Sequence, residues 1–184
     1  LINGEAVDLK RHNIAYIFQE YSNMPWLTIR QNVEFGLRIK HMPEDYIKEQ
    51  TEYFLDMVGL TKFQEYYPRQ LSASMLQRAS IARAFAVRPE VLLMDEPYGQ
   101  LDVELRFKLE DELIRLWREV GTTVIFITHN IEEAVYLSER ILVLTNKPTK
   151  IKAEIPNNLP RPRDIAAPEF VALRNQVTDL IKWW

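Results

Sequence analysis

The chain has 184 residues, of which 47% are hydrophobic and 27% charged, so it is long enough and apolar enough for one α/β domain with a hydrophobic core. The net charge of -3 gives no sign of a basic nucleic-acid-binding surface, and the absence of cysteine excludes disulfides and thiolate metal sites. The apolar runs are far shorter than the roughly 18 residues of a membrane span, so any link to a membrane is expected to go through a partner.

The first half of the chain predicts a strand and then three helices. Residues 14–18 form a short apolar run typical of a buried strand. A first helix is predicted over residues 28–37 with a threonine N-cap, a second over 43–59 with a proline in its first turn and a glycine at its end, and a third over 72–87 with a serine N-cap.

The second half alternates strands and helices. Residues 91–94 are a continuous apolar run, typical of a parallel strand covered on both faces. Residues 123–128 predict another buried strand, and residues 141–144 predict a further strand. A helix capped by Asp102 and a helix over residues 131–137 separate these strands. The first of these helices has apolar residues three or four positions apart, at Leu105, Leu109, Leu113, Leu116 and Val120. The alternation predicts an α/β fold with a mostly parallel sheet.

We therefore expect a single domain over residues 1–184. Because strands lie before and after the helical segment, that segment is expected to be a subdomain at about residues 28–87. Five prolines indicate a mostly extended C-terminal extension at about residues 146–184, with a last helix starting near Pro168.

The strongest single motif is VLLMDEP at residues 91–97, where an apolar strand ends in two carboxylates and a proline. Ligands of open α/β sheets lie beyond the carboxyl ends of strands, and a strand-borne aspartate holds Mg²⁺ in P-loop NTPases. Asp95 is therefore expected to serve Mg²⁺ through water, and Glu96 to orient and polarise the attacking water. The alternative is that both carboxylates merely solvate a strand end before a turn.

Three further signals are weaker in isolation. The motif LSASMLQRASIARA at residues 71–84 places Ser72 at the start of a helix, where a hydroxyl and the first backbone amides can meet an anion, although an ordinary N-cap would look the same. Gln19 and His129 each follow a predicted strand. Gln19 could bind Mg²⁺ and His129 could bind a terminal phosphate, yet such residues are more often structural.

The order and spacing of these signals resemble the ATP-binding cassette (ABC) family over essentially the whole chain. Gln19 resembles the Q-loop glutamine of that family, and His129 resembles its switch histidine. Residues 71–75, followed by Gln77, resemble the LSGGQ signature. Residues 91–96 resemble the Walker B strand with its catalytic glutamate, and Asp102 resembles the D-loop aspartate.

The resemblance implies a P-loop NTPase fold with an inserted helical subdomain, which hydrolyses ATP with Mg²⁺ as cofactor. Glu96 and His129 would be catalytic, and Asp95 and Gln19 would hold Mg²⁺. Two subunits would pair head to tail, so that the signature of one contacts the ATP of the other. The signature residues implied in this contact are Ser72, Ala73, Ser74, Met75 and Gln77.

A finer similarity to importers of nitrate, sulfonates and taurine lies in residues 25–37 and in the tail at 151–155, 159–164 and 168–170. It implies the ATP-hydrolysing subunit of an importer of a small anion, peripheral on the cytoplasmic face of a bacterial inner membrane. The implied partners are a second ATPase subunit, identical or related, transmembrane permease subunits and, indirectly, a periplasmic substrate-binding protein. No nucleic acid is expected as a partner.

The chain departs from the family in two places. No glycine is followed by lysine, so the GxxxxGK[ST] loop (Walker A) that cradles ATP phosphates is absent. We expect this loop in a missing N-terminal piece, and we expect the chain alone to be inactive. Ala73 and Ser74 stand where the family usually has two glycines, which allow close backbone approach to phosphate, so weakened hydrolysis is expected at the site this signature completes.

Two alternatives remain open. The chain could belong to a soluble ABC ATPase of translation or DNA repair, although neither a fused second cassette nor a long coiled coil is visible. It could also be a catalytically impaired regulatory subunit. The altered signature favours this last reading, whereas the retained Glu96 and His129 argue mildly against it.

Overall fold

The computed structural model describes residues 1–99, 101 and 103–182, which form two compact units with the boundary between Ile127 and Thr128. The second unit therefore begins before the extension predicted from about residue 146. The reason is that the strand preceding residue 146 pairs with a strand that follows it. Within the described part of the chain, no helix is long and apolar enough to cross a membrane.

The first unit is built on a three-stranded sheet. Its strands are β1 (Ile14–Ile17), β2 (Val91–Asp95) and β3 (Thr123–Ile127), side by side in that order and all parallel. The predicted parallel sheet is confirmed for these three strands. Because the strands are parallel, their carboxyl ends lie at one edge of the sheet, where ligands of such folds bind.

The two faces of this sheet differ in exposure. On one face Ile17, Leu92 and Met94 are almost completely buried. On the other face Ile125 and Ile127 are 51% and 53% exposed, so the prediction of a buried third strand is wrong for this face. An apolar run indicates a strand, but it does not indicate whether another segment covers both of its sides.

Three helices follow β1 in sequence and pack against one another before the chain enters β2: α1 (Ile29–Ile39), α2 (Glu44–Met57) and α3 (Ala73–Ala86). Two single turns of 3₁₀-helix, Thr61–Phe63 and Pro68–Gln70, lie between α2 and α3. These bounds agree with the predicted helical segment to within a few residues.

Local capping sets the ends of these helices at the predicted positions. Thr28 and Gln31 form a capping box, in which the side chain of each accepts a hydrogen bond from the backbone amide of the other. After α2, Gly59 has a φ angle of 67° and the Leu60 amide donates to the Leu55 carbonyl at 2.8 Å. This is the hydrogen-bond pattern of a glycine-ended helix, and both devices satisfy backbone groups that helix ends leave unpaired.

Helix α4 (Val103–Val120) connects β2 to β3. Three of its predicted core leucines are buried: Leu109, Leu113 and Leu116. Their spacing of three or four residues is that of one helix face, so the periodic pattern predicted this element well. Asp102, the predicted N-cap of this helix, lies outside the described residues.

The second unit contains α5 (Ile131–Leu137), β4 (Arg140–Leu144), β5 (Ile151–Pro156) and α6 (Pro168–Ile181). Strand β4 pairs with β5 in an antiparallel two-stranded sheet. The prediction that residues 141–144 join the parallel sheet is therefore wrong. The short loop between β4 and β5 is enough for a hairpin, whereas a parallel neighbour requires a crossover of a dozen or more residues.

A buried arginine holds the end of α5. Arg163 is 7% exposed, and its guanidinium donates to the carbonyls of Val135 at 2.9 Å and of Tyr136 and Ser138 at 2.7 Å each. Desolvation, and then the nearby charge of Arg161, lower the pKa of Arg163 to about 10. Because the last carbonyls of a helix have no partner within it, this cation stabilises the C-terminal end of α5.

Candidate active site

Two of the predicted site residues meet where β1 and β2 end. Gln19 follows β1 by two residues, and Glu96 follows β2 directly. Because Ile17 lies opposite Met94, the segments that follow the two strands emerge side by side. The side-chain amide Nε2 of Gln19 donates a hydrogen bond to Oε2 of Glu96 at 3.2 Å. The structure thus joins two residues that were predicted separately.

Glu96 lies on a strained turn of the backbone. Its φ angle of 43° is in the left-handed region, which costs a residue other than glycine about 1–2 kcal/mol. Its amide donates to the carbonyl of Ile127 at 2.9 Å, and its carbonyl accepts from the amide of Gly99 at 3.2 Å. Strand β3 and the turn therefore hold this conformation, as expected of strain that persists at a functional site.

Asp95, the last residue of β2, has a partner that sequence analysis missed. The hydroxyl of Tyr16 on β1 donates to Oδ2 of Asp95 at 3.1 Å. Desolvation first, and then the hydrogen bond to Asp95 and its charge, raise the pKa of Tyr16. The alternation of side chains along a strand could have indicated the face of the sheet on which Tyr16 lies. It could not have indicated the register that brings Tyr16 and Asp95 together.

Asp95 and Gln19 offer the oxygen atoms that Mg²⁺ prefers. This ion is often held through one or two protein carboxylates, with water and phosphate oxygens completing its octahedral ligand set. Within the described ranges, no group of three or more histidine, cysteine or acidic side chains could hold a metal ion on its own. The residues fit a Mg²⁺ that shares its ligands with a nucleotide, and its ligation by Asp95 and Gln19 stays a prediction.

Ser72 caps α3, as predicted. Its hydroxyl oxygen accepts a long hydrogen bond of 3.4 Å from the amide of Met75. Ser72 and Ala73 are exposed, and Met75 is partly exposed. The start of α3 therefore presents these three residues, with the positive end of the helix, to any group that approaches it.

Two other residues of the predicted signature face the interior. Ser74 is 8% exposed, and Gln77 is completely buried. The side chain of Gln77 has no exposed surface in this structure, and its contact with ATP stays a prediction. Helical spacing could have indicated this burial, because Ser74, Gln77 and the buried Ile81 are three and four residues apart and share one face.

The segment after Gln19 is tied to α3. Arg83 donates to the carbonyl of Ser22 at 2.7 Å and to its hydroxyl at 2.6 Å, and Asn23 donates to the carbonyl of Leu76 at 2.8 Å. Desolvation lowers the pKa of Arg83. These contacts were not predicted, and they connect the glutamine at the sheet edge with the helix that carries Ser72.

His129 belongs to the second unit, where it is exposed just before α5. The next residue, Asn130, caps α5 by accepting from the amide of Glu132 at 2.9 Å. The preceding residue, Thr128, donates from its hydroxyl to the carboxylate of Glu133 at 2.6 Å. These bonds fix the backbone on both sides of His129, and its catalytic role stays a prediction.

Comparison with known proteins decides the family. The family model described as ABC transporter matches residues 2–99, which is more than half of the chain. The chain belongs to the ABC transporter family. The nitrate import ATP-binding protein of Synechocystis sp. is 38% identical over 98% of this chain and 71% of its own length. The aliphatic sulfonates import ATP-binding protein of Bacillus cereus is 40% identical over 96% of this chain and 69% of its own length.

A solved structure supports the same family. It is a dimer of an ATP-binding cassette in a post-hydrolysis state with ADP and phosphate, 32% identical, with a TM-score of 0.69 over 82% of this chain and 65% of that chain. The matches confirm the predicted family, the α/β P-loop NTPase fold and the ABC-type ATPase class. The ABC chain spans 63–71% of the length of the curated relatives it matches. Asp102, which is predicted to be the D-loop aspartate, lies outside the described residues.

Proposed function

We propose that the full-length protein is the ATP-binding and ATP-hydrolysing subunit of an ABC importer. The observation that carries the proposal is the 3.2 Å hydrogen bond between Gln19 and Glu96. It joins the predicted water-orienting carboxylate to the predicted Q-loop glutamine at the ligand-binding edge of a parallel sheet. A strand end that was merely solvated would need neither this bond nor a strained glutamate.

In this proposal the side chains of the chain prepare the attack of water on ATP. Glu96 accepts a hydrogen bond from the attacking water and polarises it, while Asp95 and Gln19 would hold Mg²⁺. When bound, Mg²⁺ neutralises negative charge on the phosphate oxygens. His129 donates a hydrogen bond to the terminal phosphate. The Ser72 hydroxyl and the α3 amides of a second subunit bind the same nucleotide from the other side.

The proposal requires a loop that cradles the phosphates. The 184 residues contain no GxxxxGK[ST] run, so we propose that a further segment of the same protein supplies it. The exposed Ile125 and Ile127 support this proposal, because parallel sheets are generally covered on both faces. A segment packed there would also lie beside the edge of the sheet where Glu96 is held.

The proposed partners follow from the proposed reaction. A second ATPase subunit, identical or related, would complete each ATP site, and transmembrane permease subunits would couple ATP-driven closure to transport. A periplasmic substrate-binding protein would deliver a small anion such as nitrate, a sulfonate or taurine. The names of two relatives support nitrate and sulfonates. The protein would then be peripheral on the cytoplasmic face of a bacterial inner membrane.

The test is Glu96→Gln in the full-length protein assembled with its permease subunits. We expect ATP binding to persist and steady-state hydrolysis to fall by at least about 100-fold, the usual contribution of a positioned acid or base. Glu154→Gln is a matched control, because Glu154 has an exposed side chain that pairs with Arg140 on the β4–β5 hairpin of the second unit. Retained multiple-turnover hydrolysis in Glu96→Gln would contradict the role of Glu96.

The same preparation distinguishes the alternatives. Co-purification of the unmodified protein with ribosomes or DNA, and not with a membrane protein, would favour a soluble ABC ATPase. Lack of Mg-ATP hydrolysis by the complete unmodified transporter would favour the catalytically impaired regulatory subunit. The observation that supports a catalytically impaired subunit is Ala73, which is exposed at a position where the family usually has glycine.

A further inference from the structure

Tyr16 on β1 carries a hydroxyl that the proposed reaction does not use. Side chains alternate along a strand, and Tyr16 lies opposite Leu93, so it shares a face of the sheet with Asp95 two residues further along β2. Its hydroxyl donates to Oδ2 of Asp95 at 3.1 Å. The neighbouring strand thus reaches the carboxylate that is proposed to serve Mg²⁺.

Burial does not account for this contact. Tyr16 is 39% exposed, and its ring lies against Phe18, which is 53% exposed, with the ring centres 4.4 Å apart. A fully buried tyrosine needs a partner because an unpaired hydroxyl is costly away from water. A tyrosine at this exposure could bond to water instead. The bond to Asp95 is therefore not required simply to satisfy a buried hydroxyl.

The bond restricts how the Asp95 carboxylate can turn. The last torsion of an aspartate is broad, so a carboxylate at a strand end has no strongly preferred orientation of its own. Hydrogen bonds to an ionised acceptor are stronger than those between neutral groups, and a tyrosine brings its donor on a rigid ring. Once Oδ2 is held by the Tyr16 hydroxyl, the direction of Oδ1 is set as well.

We propose that Tyr16 is a positioning residue that orients the Asp95 carboxylate, leaving its other oxygen to serve Mg²⁺. The inference rests on the proposed role of Asp95 and deepens it, since Tyr16 acts through Asp95 without touching ATP. Removal of the hydroxyl alone should weaken metal binding in the presence of ATP. It should leave metal-free ATP binding and folding unchanged, because the ring and its contact with Phe18 remain.

The test uses the full-length protein carrying Glu96→Gln, so that ATP persists, and Mn²⁺ as a spectroscopic probe in place of Mg²⁺. Its affinity is measured by electron paramagnetic resonance with ATP present. Tyr16→Phe is expected to weaken Mn²⁺ binding by about threefold to tenfold, as for one partly exposed hydrogen bond to a charged acceptor. Tyr66→Phe, at a tyrosine that is 43% exposed in the helical segment, is the matched control and should bind Mn²⁺ like its parent.

The outcomes separate this inference from the proposed function. Unchanged Mn²⁺ affinity in Tyr16→Phe overturns the positioning role, and so does an equal loss of metal-free ATP binding with a lower thermal midpoint. If Asp95→Asn binds Mn²⁺ as tightly as its parent, the proposed metal role of Asp95 is itself wrong. If Asp95→Asn loses Mn²⁺ and Tyr16→Phe does not, only the Tyr16 inference fails.

A double substitution gives the last check. Because Tyr16 acts through Asp95, Tyr16→Phe should cause no further loss of Mn²⁺ affinity in the Asp95→Asn background. A further loss there would show that the hydroxyl acts independently of Asp95, and it would overturn the inference.

Discussion

Two segments would carry the halves of the proposed ATP site, and they are built differently. One is the turn at residues 95–99 after β2, which is predicted to be the Walker B turn, and the other is the start of α3 at residues 72–75, which is predicted to be the signature. At the Walker B turn, Glu96 has a left-handed backbone, its amide bonds to β3, and its carboxylate bonds to Gln19 after β1. At the start of α3, Ser72 makes a single long cap bond, and Ala73 is exposed. The first half is held from three strands, and the second depends on one helix end.

The two segments differ in whether their arrangement is complete within one chain. A strained and cross-bonded carboxylate is prepared for chemistry within one chain. A capped helix start is common in proteins, and its amides and hydroxyl acquire a ligand only when a partner brings one. Substitutions at the Walker B turn should therefore change hydrolysis within the subunit that carries them, whereas substitutions at the signature should act on the opposite subunit's site.

The largest effect is expected in dimers of two differently tagged copies. These dimers test whether each ATP site combines the Walker B turn of one subunit with the signature of the other. When Ser72→Ala and Glu96→Gln lie on opposite subunits, one composite site stays intact, and about half of the ATPase rate should remain. When both lie on the same subunit, both sites are damaged. The rate should then fall by at least about tenfold, the loss expected for a hydrogen bond to a charged group. Equal rates in the two arrangements would contradict the head-to-tail site.

The next effect concerns the bond that joins the two strand ends. Gln19→Ala releases the Glu96 carboxylate and should lower kcat by about threefold to tenfold, as for a partly exposed hydrogen bond to a charged acceptor. Gln19→Glu should lower it further, because two carboxylates would then lie side by side. Gln176→Ala on the exposed side of α6 is the matched control. Full activity in Gln19→Glu would show that the bond has no part in hydrolysis.

The features that sequence predicted are local. The N-caps Thr28 and Ser72, the glycine end at Gly59 and the spacing of leucines on α4 each depend on residues a few positions apart, so a single sequence displays them. The order of the site residues then carried the resemblance to ABC proteins, and the resemblance supplied their expected roles. Their roles at the site are still predictions, but the elements that carry them lie where they were expected.

The features that sequence missed depend on distant or directional contacts. Tyr16 and Asp95 are 79 positions apart, and their contact requires the register of two strands. The antiparallel partner of β4 comes from a tail that proline content indicated only as extended. Gln77 is predicted to belong to a nucleotide-binding motif, yet its side chain is completely buried. A motif states which residues occur, and the fold decides which of them reach a ligand.

A smaller effect on the ATPase rate is expected from substitutions within the predicted signature. Ala73 is exposed and Ser74 is buried, so only the methyl group of Ala73 stands where a partner's nucleotide would approach. Ala73→Gly should therefore raise the ATPase rate by about twofold to fivefold, which corresponds to about 0.4–1 kcal/mol of transition-state stabilisation.

The control for this prediction is the neighbouring residue. Ser74→Gly should lower thermal stability, since glycine in a helix costs about 0.5–1 kcal/mol, without raising the ATPase rate. The double change should be no faster than Ala73→Gly alone. If all three variants hydrolyse ATP at the parent rate, the altered signature does not weaken this ATPase.

The smallest expected effect tests how firmly the Walker B turn is held. A methyl group on Gly99 would lie 3.8 Å from Oε2 of Glu96 and 3.6 Å from its carbonyl oxygen, both ordinary contacts. Gly99→Ala should therefore change kcat by less than about twofold. Gly121→Ala is the control, because at its φ angle of 72° a side chain is strained and destabilises the fold by about 1 kcal/mol away from the site. A large loss of kcat in Gly99→Ala would mean that Glu96 moves towards Gly99 during turnover. The Walker B turn would then resemble the start of α3, in that its working geometry would also form only when the partner and the nucleotide arrive.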